Sequence, residues 1–184
     1  MTMVSRRWAA EVLHVWFHRL GPADWFNPAP DVDTTLCHRF QDELHALGRQ
    51  RVGAFLTGPD LALASVLLFD QVPRNIFRGS AKAYDWDSLA QNIARGAIQR
   101  GWDNAMTRHQ RQFLGMPLMH SEDIADQQAS LRYFSQPELR FVGDFALSHY
   151  RMIARFGRFP HRNPVLGRAS TEAERKAVAS GFSW

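Results

Sequence analysis

Two stretches of this chain carry the same polar pattern. "FDQVPRNIFRG" (Phe69 to Gly79) and "FGRFPHRNPVLGR" (Phe156 to Arg168) each hold a Pro, then Arg-Asn, then a Gly four residues after the Asn. Guanidinium forks match carboxylate and phosphate oxygens, so Arg74, Arg78, Arg158 and Arg162 are candidate binders of a small anionic or polar molecule. Gln71, Asn75 and Asn163 could share that task. A third stretch, "PLMHSEDIADQ" (Pro117 to Gln127), sets a His beside Glu122 and Asp123, directly before an expected helix start. A His, carboxylates and a helix N-terminus together suit general acid–base chemistry. The candidate catalytic residues are therefore His120, Glu122, His161 and Asp70, with Ser121 and His149 added to the binding set. Each stretch also has a plainer reading, in which Arg and Asn satisfy carbonyls at helix C-termini and Ser121 caps a helix.

Other chemistries find little support. His14 and His18 stand four apart on one helix, a chelating spacing, but no matched Glu or Cys accompanies them, and no metal site is expected. No Gly-rich phosphate loop, zinc cysteine cluster, nucleophile elbow or kinase signature is present, so no cofactor can be named.

The elements that must hold these residues read as helical nearly throughout. Trp8, Val12, Val15 and Trp16 share one face of a first helix, with Ser5 placed to cap it. Gly21 to Pro30 cannot continue that helix. Asp31 or Asp33 opens a second, with Leu36, Cys37, Phe40, Leu44 and Leu47 as its stripe. Pro59 starts an apolar helix through Phe69. Asp87, Leu89, Ile93, Ala97 and Ile98 mark another that ends at Gly101. Ser121 begins the next, and Pro137 starts one whose apolar residues are Phe141, Phe145, Leu147, Tyr150, Ile153 and Phe156, running to Gly157. "TEAE" (Thr171 to Glu174) matches a capping box before a last short helix. Gly157 and Pro160 make Arg158 to Asn163 a structured loop held by Phe156 and Phe159, and the Phe69 to Gly79 stretch is expected to behave likewise. About seven to nine helices with short connections give an all-α fold of antiparallel hairpins.

At 184 residues the chain is expected to form a single domain. Apolar residues make up 45% of it, and the longest apolar run, "LALASVLLF", is far too short to cross a bilayer. Of 22 basic residues only Lys82 and Lys176 are lysines, and the arginines alternate with acids along the whole length. That spread argues against nucleic acid, which prefers a concentrated basic face. "SRRWAAEVLHVWF" is interrupted by Glu11, His14 and His18 where an export signal needs an apolar run. With one Cys and no disulfide framework, the expected location is cytoplasmic.

"FDQVPRNIFRGSAKAYDWD", "LMHSEDIADQ" and "FGRFPHRNPVLGRASTEAE", with the terminal "GFSW", resemble bacterial proteins of the domain of unknown function 924 (DUF924) family over almost the whole chain. The resemblance implies a tetratricopeptide-repeat-like stack of helix hairpins. It carries over Asp70, Gln71, Arg74, Asn75 and Arg78, then His120, Ser121 and Glu122, then Arg158, His161, Arg162 and Asn163. Val72 stands where the family usually has Phe, a change of packing. His14 and His18 fall outside the family motifs. A pocket for a small anionic or polar ligand is the first functional expectation, with an enzymatic role left open. A helical scaffold for a peptide or protein is the alternative.

Overall fold

The computed structural model describes residues 7–27 and 29–181, and every regular element among them is helical. The expected Ser5 cap lies outside the described residues, as does most of the terminal "GFSW". Helix α1 (Arg7–His14) runs into a π-helical turn, Val15–Arg19, and buries Val12, Val15 and Trp16. After the short α2 (Pro22–Trp25) comes α3 (Pro30–Leu47). Its start is Pro30, whose fixed φ suits a first helical position, so Asp31 and Asp33 lie inside the first turn rather than before it. Cys37 is half-buried on α3, not sealed in the core, and its Sγ donates to Gln41 Oε1 at 2.9 Å.

Helix α4 (Pro59–Val66) does not stop at Phe69. It widens into a π turn, Leu67–Gln71, and continues as α5 (Val72–Ile76), so the first Arg-Asn stretch is mainly helical, not a loop. Pro73 has no N–H to give, and its ring crowds the carbonyl one turn earlier. A widened turn just before it relieves both problems.

A 3₁₀ turn, Ala81–Tyr84, leads to α6 (Asp87–Gln99). No helix was expected between Gly101 and Ser121, yet α7 (Arg108–Met119) fills it. Thr107 and Gln110 form its capping box, a T-x-x-Q signal written in the sequence. Helix α8 (Ile124–Phe134) starts later than Ser121: Asp123 is the cap, its Oδ1 accepting from the Ala125 N–H at 2.7 Å. Helix α9 (Arg140–Phe156) ends at Gly157, which takes φ +67°. Its buried face is Val142, Ala146, His149, Met152 and Ile153, while Phe141 and Phe145 are exposed. Phe141 instead lies under the Arg108 guanidinium and against His109. Finally α10 (Glu172–Ala179) begins with the expected Thr171–Glu174 capping box.

The helices from α6 to α9 pack each on the next, whereas α1 lies on α4 and α3 on α5. The main core centres on Trp16, Phe40, Phe55, Phe69, Phe113 and Phe134, all fully buried. Each such side chain contributes roughly 1.5–3 kcal/mol by leaving water. A separate small core of Met152, Ile153, Phe159 and Ala177 fastens the C-terminal segment to the far end of α9. No helix among the described residues is long and apolar enough to cross a membrane.

Candidate functional site

Between these two cores lies a knot of ionisable side chains from five parts of the chain. The π turn contributes Asp70, which is 1% exposed. His120 comes from the turn that closes α7, and its Nδ1 lies 2.8 and 3.0 Å from the two Asp70 oxygens. Arg74, one turn after Asp70, reaches it at 3.2 Å and also gives its Nη1 to the Asp70 carbonyl at 2.6 Å. Gln71 donates a further side-chain hydrogen bond to Asp70.

Arg74 also meets Asp87, at the start of α6, with contacts of 2.9 and 3.0 Å. The same carboxylate lies 3.6 Å from Arg162, from the second Arg-Asn stretch. Both guanidiniums stand over the Tyr84 ring, Arg162 at 4.6 Å and Arg74 at 5.6 Å. Arg162 also meets the Phe159 ring at 4.5 Å. The two Arg-Asn stretches therefore converge through Asp87 and Tyr84.

Phe159 is set in place by Glu122. Its backbone N–H donates to Glu122 Oε1 at 2.7 Å, and Arg168 clamps the same carboxylate at 2.7 and 2.9 Å. Held this way, the Phe159 ring meets His149 at 5.5 Å and His161 at 5.7 Å, centroid to centroid. His149 projects from α9, its Nδ1–H donating to the Phe145 carbonyl at 2.8 Å, with the His120 ring 6.3 Å away.

Burial opposes the charge on Asp70, but Arg74 and His120 outweigh it and hold the carboxyl down at about 2. Asp70 is therefore ionised and can only accept, so His120 Nδ1 carries the proton between them. Burial pushes His120 below its ordinary value, more than Asp70 pulls it up, and the ring is neutral at pH 7 with its lone pair on Nε2. Burial likewise drives His149 down to about 3, helped by His120, and His161 down to about 4, helped by Arg162. Arg162 is lowered to about 10, first by burial and then by its neighbour Arg74. Glu122 is held below its ordinary value because the bonds from Arg168 and the Phe159 N–H outweigh burial.

The remaining expected residues have partners of a structural kind. Asn75 donates to the Gln71 carbonyl at 2.9 Å, and Arg78 pairs with Asp33 at 3.1 Å on the surface. The Ser121 hydroxyl accepts from the Asp123 N–H at 3.2 Å. Arg158 grips Glu174 of α10 at 2.6 Å, and Asn163 donates to Ser170 at 3.0 Å. Asp87, Tyr84 and Arg168 belong to the knot but were not expected there. His14 and His18 stack on each other, ring centroids 5.6 Å apart. Two surface depressions lie elsewhere, about 650 Å³ between α9 and α10 and about 220 Å³ between α1 and α3.

A solved structure described as a protein of unknown function, ATU0120, from Agrobacterium tumefaciens is similar at 39% identity and a TM-score of 0.88. The alignment covers 94% of this chain and 97% of that one. No curated protein matches. The model of the family described as "Bacterial protein of unknown function (DUF924)" matches residues 12–181, and the chain belongs to that family.

Proposed function

We propose that this protein binds a small anionic or polar molecule at the Asp70–His120–Arg162 knot and acts on it by general acid–base chemistry. One observation carries the reading: an ionised, buried Asp70 lies 2.8 Å from His120 Nδ1 and so aims a lone-pair Nε2 away from itself. That is how a carboxylate orients an imidazole to take a proton from a substrate hydroxyl or water. Burying this many ionisable groups is a poor route to stability, since apolar residues of similar volume serve it as well or better. Clusters of strongly shifted groups are a mark of functional sites. Arg162 supplies the attraction for an anion, and His149 and His161 supply neutral polar walls. The single half-buried Cys37 suits a reducing compartment, so the reading places the protein in the cytoplasm.

The test is a ligand panel of carboxylates, phosphomonoesters and hydroxy acids followed by native mass spectrometry and calorimetry. Binding falls about tenfold or more in Arg162→Gln and persists in Arg158→Gln, as expected of a charge-assisted contact at one site only. His120→Gln keeps the ligand but loses turnover. Equal binding by folded Arg162→Gln and wild type would remove the reading.

A peptide-binding role has its own observation, the depression of about 650 Å³ between α9 and α10. Met152 and Ala177 form apolar lining, and Arg151 and Arg155 supply cations suited to an acidic segment, while Lys176 is paired with Glu172 at 2.7 Å. A labelled acidic peptide that binds wild type and is released by Arg155→Glu supports this role, and no binding removes it.

A further inference from the structure

We infer that the anion taken by this site is a singly charged, planar carboxylate, received by Arg162 beside the rings of Tyr84 and Phe159. This rests on the reading of the knot as a small-ligand site and adds the class of ligand.

The argument starts from which charges are already matched. Asp70 has His120 at 2.8 Å and Arg74 at 3.2 Å. Asp87 has Arg74 at 2.9 Å, and Glu122 has Arg168 at 2.7 Å. Three carboxylates thus face three guanidiniums, and two of the guanidiniums are closely paired. Arg162 is the exception. Its ion pair is the long one, 3.6 Å to a carboxylate that Arg74 already holds. Its Nε, like that of Arg168, has no hydrogen-bond partner among the described residues, and neither has Asp87 Oδ1, so the distance and not the Nε sets Arg162 apart. Its side chain is only 8% exposed, so water does little to make up the deficit. A buried cation lacking a close acceptor favours an incoming anion.

The charge sum limits how much that anion can carry. With the imidazoles neutral, Asp70, Asp87 and Glu122 already balance Arg74, Arg162 and Arg168. A monoanion on the loosely paired Arg162 leaves the cluster at −1, whereas a dianion leaves it at −2. A dianionic phosphate would bring a second charge next to Asp70 and Asp87, and the cost of desolvating an ion rises with the square of its charge. Shape points the same way. Two aromatic rings lie 4.6 and 4.5 Å from the guanidinium carbon and crowd its surroundings, so an acceptor that forks onto its edge fits best when it is flat. A carboxylate is flat and a phosphate is not. Because His120 offers a lone pair on Nε2, the rest of such a ligand would present it with an O–H or N–H donor, not a second anionic oxygen.

Sodium acetate and inorganic phosphate, titrated separately at pH 7.5 and equal ionic strength into the whole protein, distinguish the cases. The readout is the guanidinium NMR signal of Arg162, assigned through bonds in wild type, with Arg162→Gln checked for folding by circular dichroism. Acetate is expected to shift the Arg162 signal saturably at a concentration about tenfold or more below any effect of phosphate, a difference of about 1.4 kcal/mol or more. Folded Arg162→Gln lacks that signal, so acetate is followed there by the backbone amide shifts of Tyr84 and Phe159, which should move in wild type and stay still in the variant. A phosphate response at equal or lower concentration overturns the carboxylate assignment and leaves the small-ligand reading standing. An Arg162 signal moved by neither probe overturns both. Unchanged acetate binding in folded Arg162→Gln overturns the role given to this arginine.

Discussion

At His120 the question is which nitrogen holds the proton, and Asp70 answers it. An acceptor-only carboxylate fixes the Nδ1–H tautomer, whereas a neutral amide can donate as well as accept. Asp70→Asn should therefore turn a single tautomer into a mixture, visible in the nitrogen shifts of His120. A His120 spectrum identical to wild type would show that Asp70 does not set the proton. Asp70, Arg74, His120, His149 and Arg162 stood out in the sequence because their types are chemically loud beside Pro and Phe. Asp87, Tyr84 and Arg168 were not legible for definite reasons. Asp87 also sits in the first turn of α6, where an acid is explained by the helix dipole. Tyr84 reads as packing, and Arg168 is one of many evenly spread arginines. In the other direction, Asn75 and Ser121 looked chemical and serve as local hydrogen-bonding partners within the backbone turns.

Among the helices, α7 shows why a pattern can vanish. Residues 112–119 are all buried, so no apolar stripe alternates with a wet face, and periodicity has nothing to report. The contact that permits such burial is Gly115, where an added Cβ would lie 2.5 Å from the Tyr133 ring and 2.9 Å from Phe134. Gly115→Ala is expected to lower stability by about 1–3 kcal/mol through overpacking, measured by urea unfolding. A neutral result would mean that α7 and α8 separate freely. The stripe expected on α9 was displaced for a related reason: small Ala146 and medium Val142 allow α9 to approach closely, and the bulkier Phe141 and Phe145 are left outside. By contrast α10 was legible from its capping box alone. It hangs on the small second core and on Arg158–Glu174, so Glu174→Gln should speed amide exchange in α10 while α4 and α7 keep their protection. Uniform change across all three helices would contradict this division.

For the molecule as a whole, buried neutral histidines tie folding to pH. An unfolded histidine gains a proton near pH 6.5, whereas His149 and His161 in the folded chain resist until about 3 and 4. Their folded values are depressed, so the unfolded chain binds more protons in that interval and stability falls as pH drops below about 6.5. The slope is about 1.4 kcal/mol per pH unit for each proton that the unfolded chain binds and the folded chain does not, and it acts over a narrower interval for His161 than for His149. Asp70, held at about 2, adds a loss that begins as pH falls through its ordinary value of 3.8. Urea midpoints from pH 7.5 to 4.5 should decline in wild type and decline less steeply in His149→Gln. Equal slopes would place the titration elsewhere. The all-helical class was legible because most of the longer helices keep a recognisable cap, stripe or stop, whereas α7 offered only its capping box and α2 and α5 fall in stretches expected to be irregular. The meeting of distant stretches was not, since that depends on how the two cores close on each other.

The π turn at Leu67–Gln71 has a consequence for how this chain tolerates length changes. It holds one more residue per turn than an α-helix, and Asp70 and Gln71 sit within it. Deleting a single residue there would let an unbroken helix of ordinary pitch close the same turn with one residue fewer, so the helix on either side would keep nearly its direction. Asp70, inside the altered turn, would lose its aim at His120 although Arg74 still faced Asp87. The chain should accept an insertion or deletion in the exposed connection after Gly79 far more readily than one inside that turn.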